Sequence, residues 1–173
     1  NVKFENIKNI NVLGLGKDNQ VLLSNIIDLD LGNIFFLDKK NINKIINSNT
    51  LIHDYEIFKR YPHSIDINVK RTKFLAKIKH DKNFFLIGSN GKLSSIKHED
   101  KSNYLPFIFG KPKIDQFLKF KQKIDDSKFN YKDINNLFFF FFYILFIQLN
   151  NDLLIILSSK NIKKTLYLFL VFF

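Results

Sequence analysis

The chain has 173 residues, with 27 lysines and arginines against 16 aspartates and glutamates, a net charge of +11. It has no cysteine, which excludes disulfides and cysteine metal sites. The length allows one large domain or two small ones, each able to bury a core. The 21 phenylalanines sit among abundant Ile, Lys and Asn, so they reflect the bias of an AT-rich genome as well as selection for aromatic contacts.

In chain order, Ile10 and Val12 alternate before Gly14 and predict a short strand. Asp18 is placed to cap a helix on which Leu22, Leu23, Ile26 and Ile27 share a face. Asp38 is placed to cap a second helix, with Leu37 packing on Ile42 as a hydrophobic staple and Ile45 and Ile46 continuing the face. Tyr55 and Ile57 then begin a strand. Ile65, Ile67 and Val69 alternate with Asp66, Asn68 and Lys70, a second strand with one buried face. Between them Pro62 lacks an N–H and disfavours helix at Tyr61, so Arg60 to His63 is a turn and the pair a hairpin. Beyond Arg71 the chain runs through Thr72 and Lys73 into apolar Phe74 to Ile78, which puts a domain boundary there.

Further on, Phe84 to Ile87 and Lys92 to Ile96 flank the turn signal Gly88-Ser89-Asn90-Gly91. Lys101 to Lys113, with Pro106, Gly110 and Pro112, reads as an ordered loop. Ile114 to Ile124 reads as a helix with Ile114, Phe117 and Leu118 on one side. Leu137 to Leu149 is apolar throughout. It is shorter than the about 20 residues a membrane helix needs, and its Phe, Tyr and Ile content favours a buried strand. Asn150-Asn151-Asp152 turns it into a strand at Leu153 to Leu157, and Ser159 caps a last helix, Lys160 to Phe173.

The charge is uneven: residues 1–72 hold 10 basic and 8 acidic side chains, residues 73–173 hold 17 and 8. A basic half could meet nucleic acid, anionic lipid or an acidic partner. Its lysines are scattered and are not interleaved with aromatics as a base-stacking surface requires, so a solvated surface is the better reading. Gly14-Leu15-Gly16 lacks the third glycine of a dinucleotide loop, since position 19 is Asn. His53, His63, His80 and His98 show no metal spacing, and Asp125-Asp126 are neighbours that cannot face one site on a helix. There is no catalytic constellation.

An ordered set of segments resembles the bacterial cell-division family FtsQ/DivIB. Arg60, Pro62 and the alternating strand ending in Lys70-Arg71, with Ala76 nearby, resemble the close of its POTRA domain. Ile10 to Gly14 resembles its first strand and Leu31 to Asp38 the link between its helices. Phe85 to Ile87 with Asn90-Gly91, Leu105-Pro106 with Gly110, and Leu149 to Leu157 resemble parts of its second, β domain. The chain departs from the family in having Lys70 for a usual Glu and Lys73 for a frequent Pro. Tyr143 and Leu145 stand near a place where many members carry Arg and Trp.

The resemblance implies an α+β fold. A POTRA domain of order β-α-α-β-β would span residues 5–72. A mostly antiparallel β domain with flanking helices would span 73–173, cut short before the family's last strand. It implies a non-enzymatic division scaffold in the periplasm, without cofactors, held to the inner membrane by an N-terminal helix absent from this chain. Such a scaffold binds divisome proteins of the FtsB and FtsL type at the septum by strand addition. The alternative is a POTRA-bearing outer-membrane assembly or secretion component. Tyr167, Leu168 and Val171, off the core-facing line of the last helix, are expected partner contacts together with Tyr143 and Leu145.

Overall fold

The computed structural model describes residues 6–96, 104–140 and 144–158. The chain divides into two compact units, Asn1–Lys73 and Phe74–Phe173.

In the first unit, strand β1 (Asn9–Leu13) is followed by helices α1 (Asn19–Ile27) and α2 (Lys39–Ser48) and by strands β2 (Ile52–Arg60) and β3 (Ser64–Arg71). This is the expected β-α-α-β-β order. The sheet runs β1-β3-β2, with β1 parallel and β2 antiparallel to β3. Alternation does the sorting: Ile65, Ile67 and Val69 of β3 are buried, whereas Asn68 and Lys70 are exposed. The buried face meets Val12 of β1, Leu22 and Ile26 of α1, and Ile42 and Ile46 of α2. Asp38 caps α2, its carboxylate accepting from the Lys40 N–H at 2.9 Å. Leu37 and Ile42 belong to the same core, as a staple requires.

Two details of α1 differ from expectation. Asp18 stands at the N-cap but its side chain does not cap. A short 3-10 turn, Gly16–Asp18, holds it at φ −79° and ψ −4°, helical values rather than the extended ones of a capping residue. Its carboxylate instead meets Arg71 Nη1 at 3.1 Å, and that nitrogen also donates to the Leu15 carbonyl at 3.0 Å. Arg71 thereby ties the end of β3 to the start of α1. Ile27, one step round the helix from buried Ile26, is exposed.

We expect residues 1–72, expressed alone, to fold with a cooperative thermal transition, because that segment holds a complete three-stranded sheet and its own core. A fragment without a transition in circular dichroism would overturn the assignment of an autonomous unit.

The second unit comprises β4 (Phe74–His80), β5 (Asn83–Gly88), β6 (Leu93–Ser95), β7 (Phe107–Phe109), helix α3 (Ile114–Asp125), β8 (Ile134–Phe139), β9 (Ile144–Leu149) and β10 (Leu154–Ser158). They form a seven-stranded sheet ordered β10-β9-β8-β7-β4-β5-β6. Four pairings are antiparallel. The two made by β7, with β4 and with β8, are parallel. Helix α3 bridges the parallel pair β7–β8, the usual solution for strands that run the same way. It buries Phe117, Phe120 and Ile124 against Ala76, Ile78, Ile87, Ile108, Leu137, Ile147 and Leu157. The Gln116 side chain accepts from the Lys113 N–H at 3.2 Å and closes its first turn.

Two expectations are corrected here. The stretch around Pro106 and Gly110 is not all loop: Phe107–Phe109 is a strand between β4 and β8. Three residues between two breakers carry too little pattern to reveal it. The apolar run Leu137 to Leu149 is not one buried strand but parts of two, β8 and β9, paired antiparallel. With a breaker absent between them, the sequence gives no sign of the reversal. The expected last helix, Lys160 to Phe173, lies outside the described residues.

Candidate partner-binding surface

Side chains of a strand alternate between faces, so a sheet that packs a helix on one side presents its other residues on the opposite side. On β8, β9 and β10 the inward set is Leu137, Leu145, Ile147, Leu149, Ile155 and Leu157. The outward set is unusually apolar. In register across four strands stand Phe109 of β7, Phe138 of β8, Phe146 of β9 and Ile156 of β10.

The rings form a continuous ladder. Phe84 meets Phe107 edge-on at 5.9 Å, Phe107 lies 4.7 Å from Phe109, and Phe109 stacks on Phe138 at 4.7 Å with planes 9° apart. Phe138 continues to Phe140 at 6.5 Å, and Phe140 meets Phe146 edge-on at 5.2 Å. Each such contact contributes about 0.5–1.5 kcal/mol beyond area burial. The next row is polar, with Asn136 Nδ2 donating to Gln148 Oε1 at 2.9 Å and Gln148 Nε2 to Asp152 Oδ1 at 3.1 Å.

At the end of this face lies β10, bonded in the described sheet to β9 alone. An edge strand presents unpaired N–H and C=O groups, a template for another strand. Its outward Leu154 and Ile156 are 52% and 58% exposed, and Phe140 is 56% exposed. Among the described residues, the end of the sheet therefore combines a backbone edge paired on one side alone with open apolar side chains.

No group of three or more His, Asp or Glu side chains is placed to hold a metal among the described residues. The strongly perturbed Tyr131 is structural: burial first, and then the charge of Asp125, push its phenol well above the ordinary range. Its hydroxyl donates to the Leu75 carbonyl at 2.7 Å. Lys121 Nζ, paired with Asp125, lies 4.3 Å from the ring centroid. No described helix is long and apolar enough to cross a membrane.

No family model matches the chain. The cell division protein DivIB of Clostridium botulinum strain Loch Maree is 31% identical to it over 127 residues, covering 70% of this chain and 50% of that protein. The chain belongs to the FtsQ/DivIB family of cell-division proteins. DivIB of C. botulinum strain Hall is 30% identical over the same length, and DivIB of C. tetani is 35% identical over 83 residues, 48% of this chain and 31% of that protein. The chain spans about half the length of the C. botulinum DivIB proteins it matches. The major extracytoplasmic domain of DivIB from Geobacillus stearothermophilus, solved as its trans isomer, aligns with a TM-score of 0.40 at 12% identity. That alignment covers 56% of this chain and 86% of that one.

The sequence offers Tyr143, Leu145, Tyr167, Leu168 and Val171 as expected partner contacts. Of those expected from the sequence, Tyr143, Tyr167, Leu168 and Val171 lie outside the described residues. Leu145 is on β9 at the right end of the sheet, but its side chain faces the core and is 3% exposed. The alternation that turns Leu145 inward turns Phe146 outward. The sequence pattern does not single out Phe109, Phe138, Phe140 or Phe146, nor separate outward Leu154 and Ile156 from inward Ile155 and Leu157. The signal was the period-two register on each side of a reversal, and the unbroken phenylalanine run hides it.

Proposed function

We propose that this chain is an extracytoplasmic part of a non-enzymatic division scaffold that works at the septum, on the outer side of the inner membrane. It would recruit divisome membrane proteins of the FtsB and FtsL type. The observation that carries the reading is β10, paired on one side alone among the described residues, with open Leu154 and Ile156 beside the phenylalanine face. An extended partner segment added there would gain main-chain hydrogen bonds along the edge, and alternate side chains would supply specificity. Tyr143, Tyr167, Leu168 and Val171 are proposed further contacts. The relatives' shared name, cell division protein DivIB, supports the division role.

The test is binding of an FtsB- or FtsL-type periplasmic segment to the chain and to Ile156→Asp. Because Ile156 is outward, its substitution should leave the melting temperature within a few degrees while weakening binding by about tenfold or more. Unchanged affinity in a folded Ile156→Asp chain would move the partner site elsewhere.

A further inference from the structure

The first unit carries an aromatic cluster that its core does not use. The link between α1 and α2 buries Leu31 and Ile34 and packs Leu37 on the core, so its structural role is met by those three. Phe35 and Phe36 in the same link point outward, Phe36 with 78% exposure. They are held in place: Asn33 Oδ1 accepts from the N–H of Phe35 at 3.0 Å and of Phe36 at 3.1 Å. The hairpin turn of β2–β3 comes to the same spot. Tyr61, 61% exposed, lies 5.2 Å ring to ring from Phe35, and Lys59 Nζ donates to the Phe35 carbonyl at 3.3 Å.

Lys59 reaches this link at the Phe35 carbonyl, and further cations follow it in the chain. Lys39 and Lys40 follow directly after the link and are exposed. The link also carries exposed Asp28 and Asp30, the latter accepting from the Gly32 N–H at 3.1 Å, while two other acids are engaged. Asp38 caps α2, and Asp66 accepts from Arg60 Nε at 2.8 Å and from Asn11 Nδ2 at 2.9 Å. These bonds, from Arg60 first and then Asn11, hold its carboxyl below the usual range. Three aromatic rings on two adjoining tips face out, with Lys59 at the Phe35 carbonyl and Lys39 and Lys40 next in the chain.

We propose that this cluster seats the first unit on an anionic phospholipid surface, with Phe35, Phe36 and Tyr61 in the interfacial layer and Lys39, Lys40 and Lys59 at the headgroups. Aromatic side chains favour that layer because an apolar body and a polar edge are both satisfied there. Lysines next to them draw the site to negative lipid. The charge flanking the rings favours lipid over a protein pocket, which would bury the rings and leave the lysines without a counter-surface. The inference concerns the first unit alone and does not rest on the division role or on the β10 edge.

The chain contains no tryptophan, so Phe36→Trp places a single reporter at the cluster. The 173-residue chain carrying it should show a blue-shifted emission with vesicles of phosphatidylglycerol and phosphatidylcholine, and little change with phosphatidylcholine alone. Adding Lys39→Glu and Lys40→Glu should weaken the titration by about tenfold or more. In the chain without the reporter, Phe35→Ser with Tyr61→Ser should lower flotation with the anionic vesicles. Circular dichroism checks that each variant is folded, and Phe36→Leu serves as a second, conservative variant that should retain binding. The basic second unit could float the chain by itself, so the local signal decides. Flotation without a blue shift, or a shift of equal size with neutral vesicles, overturns the proposal. A blue shift unaffected by the lysine reversals overturns its electrostatic half.

Discussion

Ile67→Asp is expected to unfold the first unit. Ile67 is fully buried at the middle of β3, in register with Val12 on one side and Ile57 on the other, and faces the core formed with α1 and α2. The substitution loses burial of about 1.5–3 kcal/mol and sets a carboxylate among aliphatic side chains with no partner, at several kcal/mol more. A domain of this size holds about 5–15 kcal/mol in total, so little or nothing remains. Asn68→Asp, next door on the exposed face, is the control. Its cross-strand neighbours are Leu13 and Glu56, and a carboxylate opposite Glu56 costs up to about 1 kcal/mol. Thermal melts of residues 1–72 should show loss of the transition in the first variant and a small shift in the second. Equal damage from both would mean that alternation is not what seats β3.

Gly110→Ala is expected to destabilise the second unit by about 3–5 kcal/mol. Gly110 ends β7 at φ +92°, and a Cβ there would stand 2.2 Å from the Phe139 carbonyl oxygen of β8. That obstacle is backbone, held in the sheet by the pairings of β8 with β7 and β9, so it cannot swing aside as a side chain would. Gly91 provides the comparison. It too has a positive φ, +75°, but its nearest neighbour would be Leu118 Cδ1 at 3.5 Å, an ordinary contact. Gly91→Ala should therefore show only the strain of the left-handed backbone, about 1 kcal/mol. Urea unfolding of the 173-residue chain separates the two. Equal midpoints would show that the close approach at Gly110 does not govern stability.

Legibility in the sequence followed the strength of local pattern. The β2–β3 hairpin was readable because a breaker, Pro62, stands between two period-two runs. Helix α2 was readable because Asp38 and the Leu37–Ile42 staple mark its start. Asp18 gave the right position for α1 and the wrong role for its carboxylate. Its backbone angles depend on the preceding 3-10 turn, and its partner Arg71 arrives from the far end of the unit. In the second unit, β7 is too short and β8–β9 too uniformly apolar to show their boundaries. The candidate surface was hidden for the same reason. Which of two neighbouring phenylalanines faces outward depends on where the chain reverses, and five consecutive phenylalanines, Phe138 to Phe142, contain no mark of it.

The parallel pairing of β1 with β3 also sets an order of events during synthesis. Asn11 and Asp66, hydrogen-bonded across that pair, are 55 positions apart, whereas β2 and β3 are joined by a three-residue turn. Closing the longer loop costs more chain entropy, so the hairpin is expected to form first and β1 to add to it last. A nascent chain emerging from the ribosome would thus carry β1 and both helices without a sheet to pack on until Arg71 is clear. Hydrogen-exchange pulse labelling during refolding of residues 1–72 should find the amides of β2 and β3 protected before those of β1. On this view the N-terminal strand is the latch of the unit, and the moment of its closure is timed by the residues translated last.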